Sequence, residues 1–80
     1  MYKLVIENTS GIDAKMAQQI VQKASEYVAD MTLKYEGKEV DLKSILGIMS
    51  LAVLDGAKIE IVAKGEDAKE AIDALKEMIK

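Results

Sequence analysis

Met31-Thr32-Leu33-Lys34-Tyr35-Glu36-Gly37-Lys38-Glu39-Val40-Asp41-Leu42-Lys43-Ser44-Ile45-Leu46-Gly47-Ile48-Met49-Ser50-Leu51 holds two kinds of order. Met31, Leu33 and Tyr35 alternate with Thr32 and Lys34, and Val40 and Leu42 alternate with Glu39, Asp41 and Lys43. Period two on both sides of Glu36-Gly37-Lys38 predicts a β-hairpin, with Gly37 supplying the positive φ of the turn. At Ser44 the alternation stops. Serine is a preferred N-cap, and the seven residues after it read as a short helix.

On the N-terminal side, Ala14, Ala17, Ile20, Val21, Ala24 and Val28 recur at helical spacing, so a helix is expected through about residue 27. Gln18, Gln19, Gln22, Lys23 and Glu26 form its wet face. Before it, residues 2–7 read as a strand with Tyr2, Leu4 and Ile6 on one side. Asn8-Thr9-Ser10-Gly11 is a turn cluster. After the short helix, Asp55-Gly56 is a turn and Ile59, Ile61 and Ala63 mark a fourth strand. Ala68, Ala71, Ile72, Leu75, Met78 and Ile79 then form one helical stripe, with Asp67 and Glu70 as a possible capping box. The order β-α-β-β-α-β-α predicts an α+β open-faced sandwich. Its four-stranded, mostly antiparallel sheet carries three helices on one face, as one domain over residues 1–80.

Composition narrows the chemistry. An 80-residue chain with 50% apolar and 31% charged residues can build one compact core. The net charge of −3 argues against direct nucleic-acid binding. There is no Cys, His, Arg, Pro, Trp or Phe. Disulfides, thiolate or His-based triads and the usual zinc or haem sites are therefore excluded or nearly so, and no cofactor is implied. No apolar run is long enough to insert in a membrane, and the start of the chain does not read as a signal peptide, so a cytoplasmic protein is expected.

Three places stand out. Ser10-Gly11-Ile12-Asp13-Ala14-Lys15-Met16-Ala17 runs into a helix N-terminus, where unpaired N–H groups attract anions; the plain reading is that Asp13 only caps the helix. Ser44, beside Lys43, is either an ordinary N-cap or a phosphorylation site whose added charge the helix dipole would tolerate. In the apolar run from Ile45 to Leu54, Ile48 and Leu51 are expected in the core. Ile45, Leu46 and Met49 are either core or an outward partner surface. Asp13, Asp55 and Glu36 are expected to meet only by accident of folding, so no strong catalytic constellation is read.

These places coincide with one family. The chain resembles HPr, the histidine-containing phosphocarrier of the bacterial sugar phosphotransferase system, along nearly its whole length. Leu42-Lys43-Ser44-Ile45-Leu46-Gly47-Ile48-Met49-Ser50-Leu51 is similar to the family's regulatory-serine motif. Ser10 to Ala17 stands where the family carries G-[IL]-H-A-R-P-A, with Asp13 in place of the phosphoryl-accepting histidine, Lys15 in place of arginine and Met16 in place of proline. A carboxylate is shorter than imidazole and forms an acyl phosphate instead of a phosphoramidate. Lysine is a point charge where arginine is a fork.

The resemblance implies a regulatory protein, not an enzyme and not a histidine phosphocarrier, similar to the catabolite repression HPr that lacks the histidine. Ser44 would be phosphorylated by HPr kinase/phosphorylase with ATP. Asp13, Lys15, Ala17, Lys43, Ile45, Leu46 and Met49 would meet partners, above all a catabolite control transcription factor, with enzyme I or sugar permease components bound weakly. The alternatives are a divergent phosphocarrier acting through Asp13, an HPr-like scaffold with another partner, and an unrelated carboxylate enzyme on a similar sandwich. The fixed charge of Asp13 would imitate a phosphorylated histidine only in part.

Overall fold

Tyr35 and Lys38 face each other across Glu36 and Gly37, whose φ values of 49° and 79° make a tight two-residue turn, so the hairpin is where it was expected and Lys38, read as part of the turn, already pairs. The computed structural model describes residues 1–79 (for Asn8, the backbone alone) and contains β1 (Tyr2–Thr9), α1 (Ala14–Ala24), β2 (Asp30–Tyr35), β3 (Lys38–Asp41), α2 (Ile45–Ser50), β4 (Ala57–Lys64) and α3 (Ala68–Met78). Glutamate at φ 49° adopts the left-handed conformation at a steric cost that asparagine bears better. Glu36→Asn is expected to raise stability by about 0.5 kcal/mol, read as a higher urea midpoint at unchanged slope.

The sheet order is β1-β4-β2-β3 and every neighbouring pair is antiparallel. β4 lies between the first strand and the hairpin, so the last strand in sequence becomes central. Its Ile59, Ile61 and Ala63 point inward and are buried with Met31 and Leu33, while Leu4 and Ile6 pack against them. The helices cover this face. Ala17, Ile20 and Ala24 of α1, Ile48 of α2, and Ala68, Ala71, Ile72 and Leu75 of α3 complete the core. On the open face Glu60 of β4 lies between Lys3 of β1 at 3.7 Å and Lys34 of β2 at 3.9 Å. These exposed pairs favour the register more than they stabilise the fold. No helix among the described residues is long and apolar enough to cross a membrane.

Four expectations are corrected. β1 continues through the Asn8-Thr9 stretch read as turn, with a register shift between Ile6 and Thr9. Thr9 is buried, pairs with Ala57, and its carbonyl accepts from the Gly56 N–H at 2.7 Å. That bond draws residues 51–56 against the β1–α1 loop, which pairing rules for a lone strand do not anticipate.

α1 stops at Ala24, short of residue 27, and Val28 is 76% exposed instead of completing the stripe. The N–H groups of Glu26 and Tyr27 turn back to the carbonyls of Lys23 and Ala24, and those of Val28 and Ala29 leave the helix for Asp67. The same contact explains the third correction. Asp67 precedes α3 but makes no side-chain cap, so the capping box with Glu70 does not form. Its two carboxylate oxygens accept from Val28 and Ala29 at 2.9 Å each, tying the α1–β2 turn to the start of α3. The fourth concerns Ala14, which was placed in the apolar stripe and is exposed at the first turn of α1.

Candidate functional site

The site is built on two helix starts from packed neighbours, α1 and α2. At the first, Asp13 has extended backbone, and its Oδ1 accepts from the Met16 N–H at 2.8 Å. The carboxylate thus satisfies one of the four orphan donors of α1 and offsets the positive end of its dipole. Gly11 sets the approach to this cap. Its φ is +29°, and a β-carbon there would lie 2.8 Å from Asp55 Oδ1 and 3.3 Å from the Val53 carbonyl. The Ile12 N–H donates to that carbonyl at 3.1 Å. Only a residue without a side chain lets the two loops close like this.

Between the loops lies an open groove of ≈ 480 Å³ lined by Ser10, Gly11, Ile12, Asp13, Met16, Val53, Leu54 and Asp55. Asp13 and Asp55, expected to meet only by accident, therefore do share a groove. Glu36 sits on the hairpin turn and lines a separate hollow. The lining holds two carboxylates and no cation, an arrangement unfavourable to an arriving anion.

At the second helix start Ser44 is extended, and its Oγ accepts from the Gly47 N–H at 3.0 Å. The predicted N-cap is present. Gly47 matters to it, because a β-carbon there would stand 3.2 Å from both Ser44 Oγ and Val40 Cβ. The turn into the cap is held by Asp41, whose Oδ1 accepts from the Lys43 N–H at 2.9 Å and whose carbonyl accepts from the Ser44 N–H at 3.0 Å. Lys43 is half-buried, and its Nζ has a partner within the chain. It donates to the Tyr27 carbonyl at 2.8 Å, a contact no sequence spacing announces.

α2 has six residues and two opposed faces. Ile48 is 1% exposed and Leu51 is buried just beyond the helix, as expected. Leu46 is 83% exposed, and Ile45 and Met49 are exposed beside it. Such a group of large apolar side chains next to a cap serine is a surface suited to a protein partner. Lys15 is exposed on the first turn of α1.

Ala17 is different: it is 0% exposed, in the packed core behind α1, and cannot meet a partner as the resemblance implied. A methyl is what fits where α1 approaches its neighbours. The reading from sequence also missed Leu54, 69% exposed on the groove wall. The available signal was the loop before Asp55-Gly56, in which Val53 is buried and Leu54, next to it, is not.

The profile of the family described as PTS HPr component phosphorylation site matches residues 2–80. The chain belongs to the HPr family. The solved structure of HPr-C-His from Thermoanaerobacter tengcongensis superposes with a TM-score of 0.92 at 40% identity, covering 99% of this chain and 91% of that one. The phosphocarrier protein HPr of Bacillus anthracis str. Ames gives 0.91 at 37% identity, over 99% and 96%. The catabolite repression protein Crh of Bacillus subtilis, solved as a domain-swapped dimer, gives 0.77 at 38% identity, over 95% and 87%. The chain is thus a phosphotransferase-system HPr homologue similar also to Crh. Its family is one of phosphocarriers, yet it contains no histidine on which a phosphoryl group could be carried.

Proposed function

We propose that this chain is a regulatory HPr homologue, one domain over residues 1–80, that works in the cytoplasm by binding other proteins and is switched by phosphorylation of Ser44. One observation carries the reading: Ser44 caps a six-residue helix whose outer face presents Ile45, Leu46 and Met49. A phosphoryl group on Oγ would add about −1.5 to −2 charges at the edge of that apolar surface. A partner with a matching apolar pocket and a cation would read the two together. The proposed partners are HPr kinase/phosphorylase and a catabolite control transcription factor, with Asp13 and Lys15 at the margin of the contact. Enzyme I and sugar permease components would bind weakly. Phosphoryl transfer through Asp13 is disfavoured, because an acyl phosphate there would consume the carboxylate that caps α1 and would form beside Asp55.

The test is intact mass after incubation with HPr kinase/phosphorylase and ATP. The γ-phosphoryl group passes to Ser44 Oγ, the hydroxyl proton is released and ADP leaves. A gain of one phosphoryl group is expected, and none in Ser44→Ala. That control should remain folded while losing about 1 kcal/mol with its cap. No gain from a kinase active on another HPr, or a gain that persists in Ser44→Ala, would reject the proposal.

A further inference from the structure

The peptide between Tyr27 and Val28 is held from both sides. Its carbonyl accepts from Lys43 Nζ at 2.8 Å, and its N–H donates to Asp67 Oδ2 at 2.9 Å. The following N–H, of Ala29, donates to Asp67 Oδ1. Lys43 thus supplies a cation at the exit of α1, where helix carbonyls collect negative potential. Lys43 also immediately precedes Ser44. Its backbone is pinned by Asp41, so the flexible four-carbon stem is the movable part.

The geometry points to Lys43 as the link by which a charge on Ser44 reaches the exit turn of α1. This rests on the reading of Ser44 as a modification site and adds a consequence at a distance from it. A phosphoserine dianion one residue away competes with a neutral carbonyl for the same ammonium. Both bonds have an ionised donor, but the phosphate adds the attraction of a near-double negative charge that a carbonyl dipole lacks, so the ammonium goes to the phosphate. The Tyr27 carbonyl then loses its lysine partner, and of the two side chains that hold this peptide only Asp67 remains. Val28, exposed on that turn, moves with it. Modification of Ser44 therefore alters two surfaces: the one beside α2, and the one after α1.

The test places phosphoserine at position 44 through an expanded genetic code, with no kinase involved. The readouts are the Tyr27 carbonyl carbon shift and hydrogen exchange of the Val28 and Ala29 amides. The phosphoserine chain is expected to move the carbon shift and to speed exchange about tenfold. Lys43→Gln without phosphate should produce the same change, and phosphoserine in the Lys43→Gln background should add nothing. Lys43→Arg keeps the charge, and there the phosphoserine response should persist. An unchanged Tyr27 shift in the phosphoserine chain would overturn the link. So would a further change on adding phosphoserine to the Lys43→Gln chain as large as that in the unsubstituted chain, or loss of the phosphoserine response in Lys43→Arg. None of these results bears on whether a kinase modifies Ser44, which the mass measurement decides separately.

Discussion

Gly65→Ala is expected to lower stability by about 3 kcal/mol. Gly65 has φ +141°, a region open essentially to glycine alone. The added β-carbon would also stand 2.9 Å from the Ala29 α-carbon and 3.2 Å from its β-carbon. Backbone cannot rotate out of the way as a side-chain tip can. A domain of this size has a total stability of roughly 4–12 kcal/mol, so the loss should appear as a large drop in urea midpoint.

The same place allows a sharper check. Ala29 is held by Asp67 through its N–H, and its α-carbon leaves no room for a β-carbon on Gly65. Asp67→Ala should cost about 2 kcal/mol by leaving two N–H groups without their carboxylate. The double variant should lose less than the sum, because either change alone already displaces the 28–29 segment. A loss below 1 kcal/mol for Gly65→Ala would mean that this segment yields freely.

Leu46→Asp is expected to have the opposite profile. With Leu46 83% exposed and outside the core, unfolding free energy should change by no more than about 0.5 kcal/mol. Binding of the Ser44-phosphorylated chain to the proposed partner, a catabolite control transcription factor, should weaken by about 30-fold or more, the effect of a charge forced into an apolar contact at a centre of binding energy. Titration calorimetry measures the affinity and denaturant melts the stability. Equal affinity for Leu46→Asp would remove the outer face of α2 from the proposed interface. Ile48→Asp, two residues away and 1% exposed, would be uninformative about binding because it would unfold the protein.

That contrast shows what could be read along the chain. Leu46 and Ile48 are both apolar, both in a short helix and two residues apart. The hydrophobic period identifies the helix, but six residues are too few to define one wet face, so only packing decides that Ile48 points inward and Leu46 out. Ala17 repeats the lesson. Its place beside the motif made it a contact residue by resemblance, and its burial makes it a spacer.

Caps and turns divide in the same way. Asp13 and Ser44 cap the helices that follow them, and Gly37 forms the hairpin turn, because each device closes within three residues and depends on local backbone alone. Asp67 had the same local credentials. It was taken instead by N–H groups 38 and 39 positions away, brought within 2.9 Å when β4 entered the middle of the sheet. The Asp13–Asp55 groove and the bond from Lys43 to Tyr27 have the same origin.

Local pattern along the chain was enough to give the order of the elements, the open-faced sandwich, the two helix starts of the candidate site, and the absence of any histidine to hold a phosphoryl group. Tertiary structure alone decided which apolar residues reach solvent, which carboxylates become neighbours, and where the lysine beside Ser44 spends its charge. Periodicity and capping are interactions of residues a few positions apart, which one strand or helix already expresses. Contacts between distant segments exist only after the chain has closed on its core.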